Sequence, residues 1–324
     1  MAYTDAPDPI TPGKKMKRWW EAKWRISQMI ELLAYVPSPP IILRFLNRND
    51  VLTIERNVAG GELPAAFVER AESILKQAFA TGPSGTTPAL ECIRDSLDRN
   101  GDKKVLRFFM GDGVPNGGQH ACKQIRDLII NRPNPQNNPF TFMSCTNDDD
   151  AVEWMKTTEE VASYCAEFDD YGDEAREVLK DQGKAFPYSF GLHLVSQIVA
   201  AFNPHDLDAM DESIPFTKQV LDNLLGYQSS VEEYRYYFDG FIQAQKKLPL
   251  KSFQHTFLRE LPSMYNQFLE VSASTDIPKV ARYKQQVNQA SSNPGYNSVG
   301  AGGTQGRGLP AGSNQSGGEC CTIL

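Results

Sequence analysis

The sequence predicts an α/β fold, in which a doubly wound, mostly parallel sheet precedes a helical extension and a flexible tail. Short, nearly continuous apolar runs alternate with segments whose apolar residues recur every three or four positions, as strands covered on both faces alternate with amphipathic helices. Toward the end Gly, Ser, Asn and Gln dominate, and these residues bury little apolar surface. We therefore expect a Pro-rich, irregular lead at 1–15, an α/β domain at 16–170, a helical extension at 171–290 and a tail at 291–324.

The predicted elements of the α/β domain follow from this periodicity. The first helix ends at or just before Val36, because prolines follow it and the residue before a proline avoids the α region. Pro88 occupies the first position of another helix, which proline favours. We predict helices at 19–36, 65–79, 88–97 and 119–131, and strands at 41–46, 51–56, 105–110 and 140–143.

The second half of the chain predicts mainly helix. Apolar residues recur at helical spacing at 191–202, 216–225 and 253–269. We expect the last of these helices to be kinked at Pro262, because proline lacks the backbone donor that a helix interior needs. The wide apolar face of this helix is expected to pack on its own domain.

Composition excludes some classes of function. The net charge of -7 argues against a nucleic-acid binder, which usually carries a basic stripe. The most basic stretch, Lys14 to Arg18, is interpreted as the solvated first turn of a helix. No run of apolar residues is long enough to span a membrane and no signal peptide is evident, so we expect a cytoplasmic protein unless it is anchored.

Two loops at the ends of predicted elements carry oxygen ligands. They are Pro83-Ser84-Gly85-Thr86-Thr87-Pro88 and Met110-Gly111-Asp112-Gly113-Val114-Pro115-Asn116. Their order and spacing resemble the second and third loops of a von Willebrand factor A (vWA) domain. The first helix and the acidic turn Thr146-Asn147-Asp148-Asp149-Asp150-Ala151 are also similar to that family, so that the resemblance covers roughly residues 16 to 160.

The resemblance implies a metal site for Mg²⁺ or Mn²⁺, in which Thr87 and Asp112 are the matching ligands. Such ions prefer hard oxygen ligands and leave a coordination position for a partner's carboxylate. The family's main contribution to the site is an Asp-x-Ser-x-Ser cluster after the first strand, and this chain has Asp5 and Asp8 among prolines instead. We therefore expect the site to be degenerate, and Thr87 and Asp112 also suit a helix cap and a turn.

The first strand of the resembled fold is missing as well. That strand would lie at the centre of the sheet, between the strands predicted at 41–46 and 105–110, and its absence would leave two unpaired edges. Residues upstream of Met1, the lead segment or another chain could supply it. We favour upstream residues, and a transcript that encodes an apolar strand with Asp-x-Ser-x-Ser there would test this expectation.

Catalytic constellations are not evident. Cys145 as a nucleophile would need a histidine as base, and nothing in the sequence pairs the two, so a buried thiol is the simpler interpretation. No Gly-x-Ser-x-Gly elbow, phosphate-binding loop or dinucleotide fingerprint is found, and no small-molecule substrate is indicated.

The sequence ends in Cys321-Thr322-Ile323-Leu324, which fits the C-a-a-X pattern for prenylation, and the final leucine favours geranylgeranyl. One lipid gives only marginal membrane residence, so Cys320 is a candidate for a palmitoyl group as second signal. The alternative is an unmodified end with two thiols.

The sequence thus favours a non-enzymatic, vWA-like interaction module that binds a protein partner and is held by its lipid at the cytoplasmic face of a membrane. The alternative is a metal-dependent enzyme, or a divalent-cation-dependent adhesion protein, that uses the acidic loops around Asp112 and Asp148. Turnover that is abolished by Asp112→Ala would favour the enzyme.

Overall fold

The computed structural model describes residues 5–7, 14–100, 103–146, 148–204, 207, 209–291 and 320–323. It is a mixed α/β structure that divides into two compact units. The first unit contains the described residues up to 173, together with 194–204 and 320–323. The second unit contains the described residues within 174–193 and 205–307.

The strands of the first unit form two sheets. A small sheet pairs β1 (Asp5–Pro7) with β2 (Lys15–Lys17) antiparallel. The strands of the main sheet are β3 (Ile41–Arg44), β4 (Val51–Ile54), β5 (Val105–Gly111), β6 (Phe140–Ser144), β7 (Cys165–Phe168) and β8 (Cys320–Ile323). Their order is β4-β3-β8-β5-β6-β7, in which β4 is antiparallel to β3 and the other neighbours are parallel.

The position between β3 and β5 is occupied by β8. Cys321 is in register with Ile41 of β3 on one side and with Leu106 of β5 on the other. The end of the sequence therefore lies where the sequence analysis expects the missing first strand.

The helices of the first unit connect its strands. They are α1 (Arg18–Leu33), α2 (Pro64–Ala80), α3 (Ala89–Asn100), α4 (Gly118–Ile130) and α5 (Asp149–Glu159). Two more helices, α6 (Tyr171–Asp181) and α7 (Phe190–Val199), each have residues in both units. Short 3-10 turns lie at Pro135–Asn137 and Ala200–Phe202.

The core of the first unit consists of two clusters, and β5 contributes to both. Phe108 and Met110 pack with side chains of α1, α2 and β3, whereas Phe109 packs with side chains of α3, α4 and α5. Successive residues of a strand point to opposite faces. Helices therefore cover both faces of the sheet.

The second unit is helical and packs around aromatic side chains. Its further helices are α8 (Lys218–Leu225), α9 (Val231–Gln245), α10 (Ser252–Glu260), α11 (Tyr265–Glu270) and α12 (Pro278–Ser291). Tyr237 is buried on α9, and its Oη donates to Gln182 Oε1 at 2.8 Å and accepts from the Phe216 amide at 3.0 Å. Buried tyrosine hydroxyls need such partners.

The predicted helices and strands are found within a few residues of their expected bounds. The kink expected at Pro262 is present, since a 3-10 turn at Leu261–Met264 separates α10 from α11. Five further elements were not predicted from the periodicity of the sequence: β7, α5, α6, α9 and α12. None of the helices in the part of the chain that the structure describes is long and apolar enough to cross a membrane.

Two expectations about the chain ends need correction. The lead was expected to be irregular, yet Asp5–Pro7 pairs with Lys15–Lys17. Pro7 is compatible with this pairing because proline is tolerated at the end of an edge strand. The tail was expected to be flexible from 291, yet Ser291 ends α12 and 320–323 form β8. A short apolar segment becomes a strand when both of its edges find partners. The predicted linker at 292–319 lies outside the described residues.

Arg132 ties together three backbone segments of the first unit. Its side chain is buried, and its Nε donates to the Asn138 carbonyl at 2.6 Å. Its Nη2 donates to the carbonyls of Ser163 and Tyr164 at 2.6 and 2.8 Å, and its Nη1 donates to the Ile129 carbonyl. The end of α4 and the turns before β6 and β7 thus share one guanidinium group.

Arg132→Ala is expected to lower the free energy of unfolding of the first unit by ~3 kcal/mol, because several buried carbonyls lose their donor. Tryptophan fluorescence during urea denaturation measures this, since all four tryptophans, at 19, 20, 24 and 154, lie in the first unit. Lys123→Ala, at an exposed position of α4, should change the value by less than ~0.5 kcal/mol. Equal effects of the two substitutions would contradict the role of Arg132.

Candidate functional site

The two loops singled out in the sequence lie together at the carboxyl end of the sheet. The Thr87 amide donates to Asn116 Oδ1 at 2.9 Å, and the Asn116 amide donates to the Thr87 carbonyl at 2.9 Å. This reciprocal pair fixes the start of α3 against the loop that follows β5. Thr87 and Asp112 are both partly buried.

The loop after β5 is held from a second side by α5. Trp154 Nε1 donates to the Gly113 carbonyl at 3.3 Å. Gly117 has a φ of 86°, a left-handed conformation that glycine adopts without steric cost, and α4 begins directly after it. The loop from Gly111 to Gly118 is therefore positioned by α3, α4 and α5 together.

Helix α1 brings two buried arginines to the same end of the sheet. Arg25 Nη1 donates to the Ser144 carbonyl at 2.6 Å, and its Nη2 donates to the Asp169 carbonyl at 3.1 Å. Arg18 Nη1 donates to the Cys145 carbonyl. The ends of β6 and β7 thus receive their donors from α1.

The interpretation of Arg18 as part of a solvated turn was wrong, because Arg18 is 8% exposed and Arg25 only 3%. The two residues are seven apart, so they share one face of a helix with Ala22 and Met29. This spacing within the apolar face was the signal available in the sequence, and the neighbouring lysines obscured it.

Glu21 lies among these charges. It is 4% exposed, its Oε1 is 4.0 Å from Arg25 Nη1, and its Oε2 has no hydrogen-bond partner among the described residues. Burial raises the pKa of Glu21 to about 7; Arg25 and Arg18 oppose this shift, and the carboxylates of Asp170 and Asp112 add to it. Asp112, predicted from the sequence, therefore belongs electrostatically to a cluster that the sequence analysis did not identify.

A second carboxyl group with a raised pKa lies on β7. Burial raises the pKa of Glu167 to about 8, the neighbouring Asp169 adds to the shift, and Lys156 opposes it. Asp169 is itself well partnered, since Ser144 Oγ donates to its Oδ1 at 2.6 Å and Lys156 Nζ lies 3.2 Å from its Oδ2. The ends of β6 and β7 are thus polar but largely buried.

The described side chains around Thr87 and Asp112 do not by themselves fit the metal that the vWA resemblance implies, and the side chains of Asp5 and Asp8 lie outside the described residues. Thr87 and Asp112 supply one hydroxyl and one carboxylate, and no group of three His, Cys, Asp or Glu residues within the described ranges is arranged to hold an ion. The guanidinium groups of Arg18 and Arg25 already provide positive charge beside Glu21. A divalent cation would meet electrostatic repulsion from them.

Cys145 is not suited to nucleophilic chemistry. Its side chain is buried, and burial raises the pKa of its thiol to about 12, so that the reactive thiolate is scarce near neutral pH. His193, which the sequence places inside an apolar helix, is buried, and its Nδ1 lies 2.9 Å from Tyr188 Oη.

The other predicted site residues lie in β8. Cys320 is in register with Val105, and Cys321 with Ile41 and Leu106. The two candidate lipid-bearing cysteines therefore lie in the backbone ladder of the main sheet, away from Thr87 and Asp112 in sequence.

Comparison with known proteins adds no family. No family model, curated protein or solved structure matches the chain. The chemistry of the site rests on its own geometry.

Glu21→Gln is expected to make the first unit less sensitive to pH. The folded-state pKa of about 7 lies above the ordinary glutamate pKa of 4.5, so the stability that the proton on Glu21 contributes is present at low pH and is lost as the pH rises through 7. Glutamine stays neutral, so the variant should gain ~2 kcal/mol over the wild type between pH 5 and pH 8.

Urea denaturation followed by tryptophan fluorescence at several pH values measures this difference. Glu31→Gln, at an exposed position of the same helix, is the matched control and should show no such trend. A difference between Glu21→Gln and the wild type that stays constant with pH would contradict the assignment.

Proposed function

We propose that the chain is a non-enzymatic, vWA-like interaction module that binds a protein partner at the carboxyl end of its sheet and is tethered to a membrane by a lipid on Cys321. The fold that this proposal assumes is a doubly wound α/β domain. The strand order supports it, because β3 and β5 flank a central parallel strand and helices cover both faces. In this fold class, ligands bind at the carboxyl ends of the strands.

The observation that carries the proposal is the reciprocal hydrogen bonding between Thr87 and Asn116. It joins the two loops that the family resemblance selects: the backbone amide and carbonyl of Thr87 pair with the side-chain oxygen and the backbone amide of Asn116. Loops that are fixed by rigid elements in this way are typical of binding sites.

The chemistry of this face favours a partner with a basic surface. Asp148 and Asp150 are exposed, Asp112 and Asp170 are partly exposed, and the chain carries a net charge of -7. Complementary charge steers association and selects among partners more than it adds affinity.

The alternative of a metal-dependent enzyme or cation-dependent adhesion protein lacks support from the donor set. Arg18 and Arg25 supply the positive charge that a metal would provide, and the pKa of about 7 for Glu21 leaves much of it protonated. The buried thiol of Cys145 does not supply a nucleophile in its place.

The lipid proposal rests on the C-a-a-X pattern at Cys321, with Cys320 as the candidate for a second acyl group. A lipid there would hold the module at the cytoplasmic face of a membrane. The proposed linker at 292–319 would give it a reach of about 30 Å from the surface.

Asn116→Ala is expected to reduce partner binding by roughly tenfold, because the Thr87 amide loses its acceptor and the two loops separate. Proteins captured on the immobilised full chain, quantified by mass spectrometry at low and high salt, measure this effect. The matched control is Asn131→Ala at the other end of α4, where the exposed Asn131 Nδ2 donates to the Asp127 carbonyl within the same helix. Equal capture by both variants would refute the proposed binding face.

Cys321→Ser is expected to move the chain from the membrane fraction to the supernatant, because the thioether can no longer form. Cys320→Ser should give a smaller shift, since it removes only the second signal. Fractionation together with metabolic labelling by a prenyl analogue measures both. Membrane association that is unchanged in Cys321→Ser would overturn the lipid proposal.

A further inference from the structure

Both edges of β8 are paired. Along β3, Ile41, Ile42 and Leu43 are in register with residues 321–323 of β8, and along β5, residues 105–108 are in register with residues 320–323. The backbone of Cys321 therefore lies inside a continuous parallel ladder.

This placement conflicts with modification of the same cysteine, if the lipid proposal above is correct. A transferase must take up Cys321 and the residues that follow it in its own active site, which the backbone bonds to β3 and β5 prevent.

We propose that pairing of β8 in the sheet and lipidation of Cys321 are mutually exclusive, so that the sheet regulates the modification of its own C-terminal cysteine. This inference rests on the proposed lipid anchor. In the paired state the backbone of Cys321 is held between β3 and β5. After release of β8, the thiolate sulfur attacks C1 of a prenyl diphosphate, the C–O bond breaks, diphosphate leaves and the thiol proton passes to solvent.

The remainder of the first unit should stay folded when β8 is released. Ile41 and Leu43 of β3 share one core cluster with Phe108 and Met110 of β5, and Ile26 of α1 packs in the same cluster. The two halves of the sheet thus stay joined by side-chain packing when the four residues of β8 leave.

Release of β8 is also readily reversible before modification. The segment that precedes β8 is rich in Gly and Ser, so its return to the sheet is an intramolecular event with a high effective concentration. Lipidation would remove this option and leave the facing edges of β3 and β5 open. We therefore expect the lipidated chain to lose protection of the β3 and β5 amides against hydrogen exchange.

The first experiment measures masking without any lipid. The full chain carries Cys92→Ser and Cys320→Ser, because Cys92 is partly exposed and Cys320 adjoins the target, while Cys122, Cys145 and Cys165 are buried. Cys321 should react with a water-soluble maleimide ~100-fold more slowly in the native chain than in the same chain unfolded in urea.

Thr322→Pro should bring the labelling rate close to that of the unfolded chain, because proline removes a ladder donor in the middle of β8. The matched control is Thr322→Val, which keeps the amide and should remain slow. Tryptophan fluorescence verifies that the first unit of each variant stays folded. If Thr322→Pro does not fold, the comparison of native and unfolded chains still decides, and labelling of the native chain at the unfolded rate overturns the masking.

The second experiment adds a prenyltransferase and geranylgeranyl diphosphate to the full chain. As the transferase concentration increases, the rate of prenyl transfer should approach a plateau. This plateau should equal the rate of β8 release that maleimide labelling of Cys321 measures. The product should then show faster amide exchange in β3 and β5. A transfer rate that increases beyond the opening rate, or a product with unchanged exchange, overturns the mutual exclusion. If maleimide labelling shows that β8 is released but no prenyl group is transferred, the lipid anchor is overturned, and the masking of Cys321 by β8 is not.

Discussion

The facing edges of β3 and β5 must both be hydrogen-bonded, and the architecture of the first unit depends on how this is achieved. A buried backbone donor or acceptor without a partner costs ~1–3 kcal/mol, so an unpaired gap of several residues in the centre of the sheet lowers the stability of the first unit. β8 fills the gap by pairing with both strands. Because β8 has only four residues, the continuity of the sheet depends on a short segment whose sequence also fits a modification motif.

Helix α1 provides a second and different connection. Its apolar residues pack with Ile41 of β3 and Phe108 of β5, and its Arg25 donates to carbonyls at the ends of β6 and β7. The buried apolar contacts and hydrogen-bonded charges of α1 cannot be replaced by contacts with another chain as easily as the backbone pairing of β8 can. The connection through β8 is therefore replaceable, whereas the connection through α1 is not. This difference is the physical condition under which β8 leaves the sheet without unfolding the first unit.

Periodicity in the sequence predicts the elements whose apolar residues dominate, and it fails where pairing or charge decides. Phe140 to Met143 is an unambiguous buried strand, and Pro262 marks a kink because its effect is local. The strand β8 could not be predicted, since four residues carry no periodicity and their partners are far away in sequence. Thr87 and Asp112 were selected through the resemblance to vWA loops, whereas Arg18 and Arg25 were missed because charged residues on an apolar helix face are normally solvated.

The buried arginines also change what an acidic face is able to bind. Glu21, Asp112 and Asp170 lie near one another, and without compensation they would attract a small cation. Arg18 and Arg25 balance their charge from inside the protein, where the guanidinium groups are fixed by strand-end carbonyls and cannot move aside. The fully exposed carboxylates of the acidic turn are those of Asp148 and Asp150. Under the proposed function, these carboxylates suit an extended basic surface better than a single ion, and the selectivity for such a partner depends on the loops that Asn116 holds in one geometry.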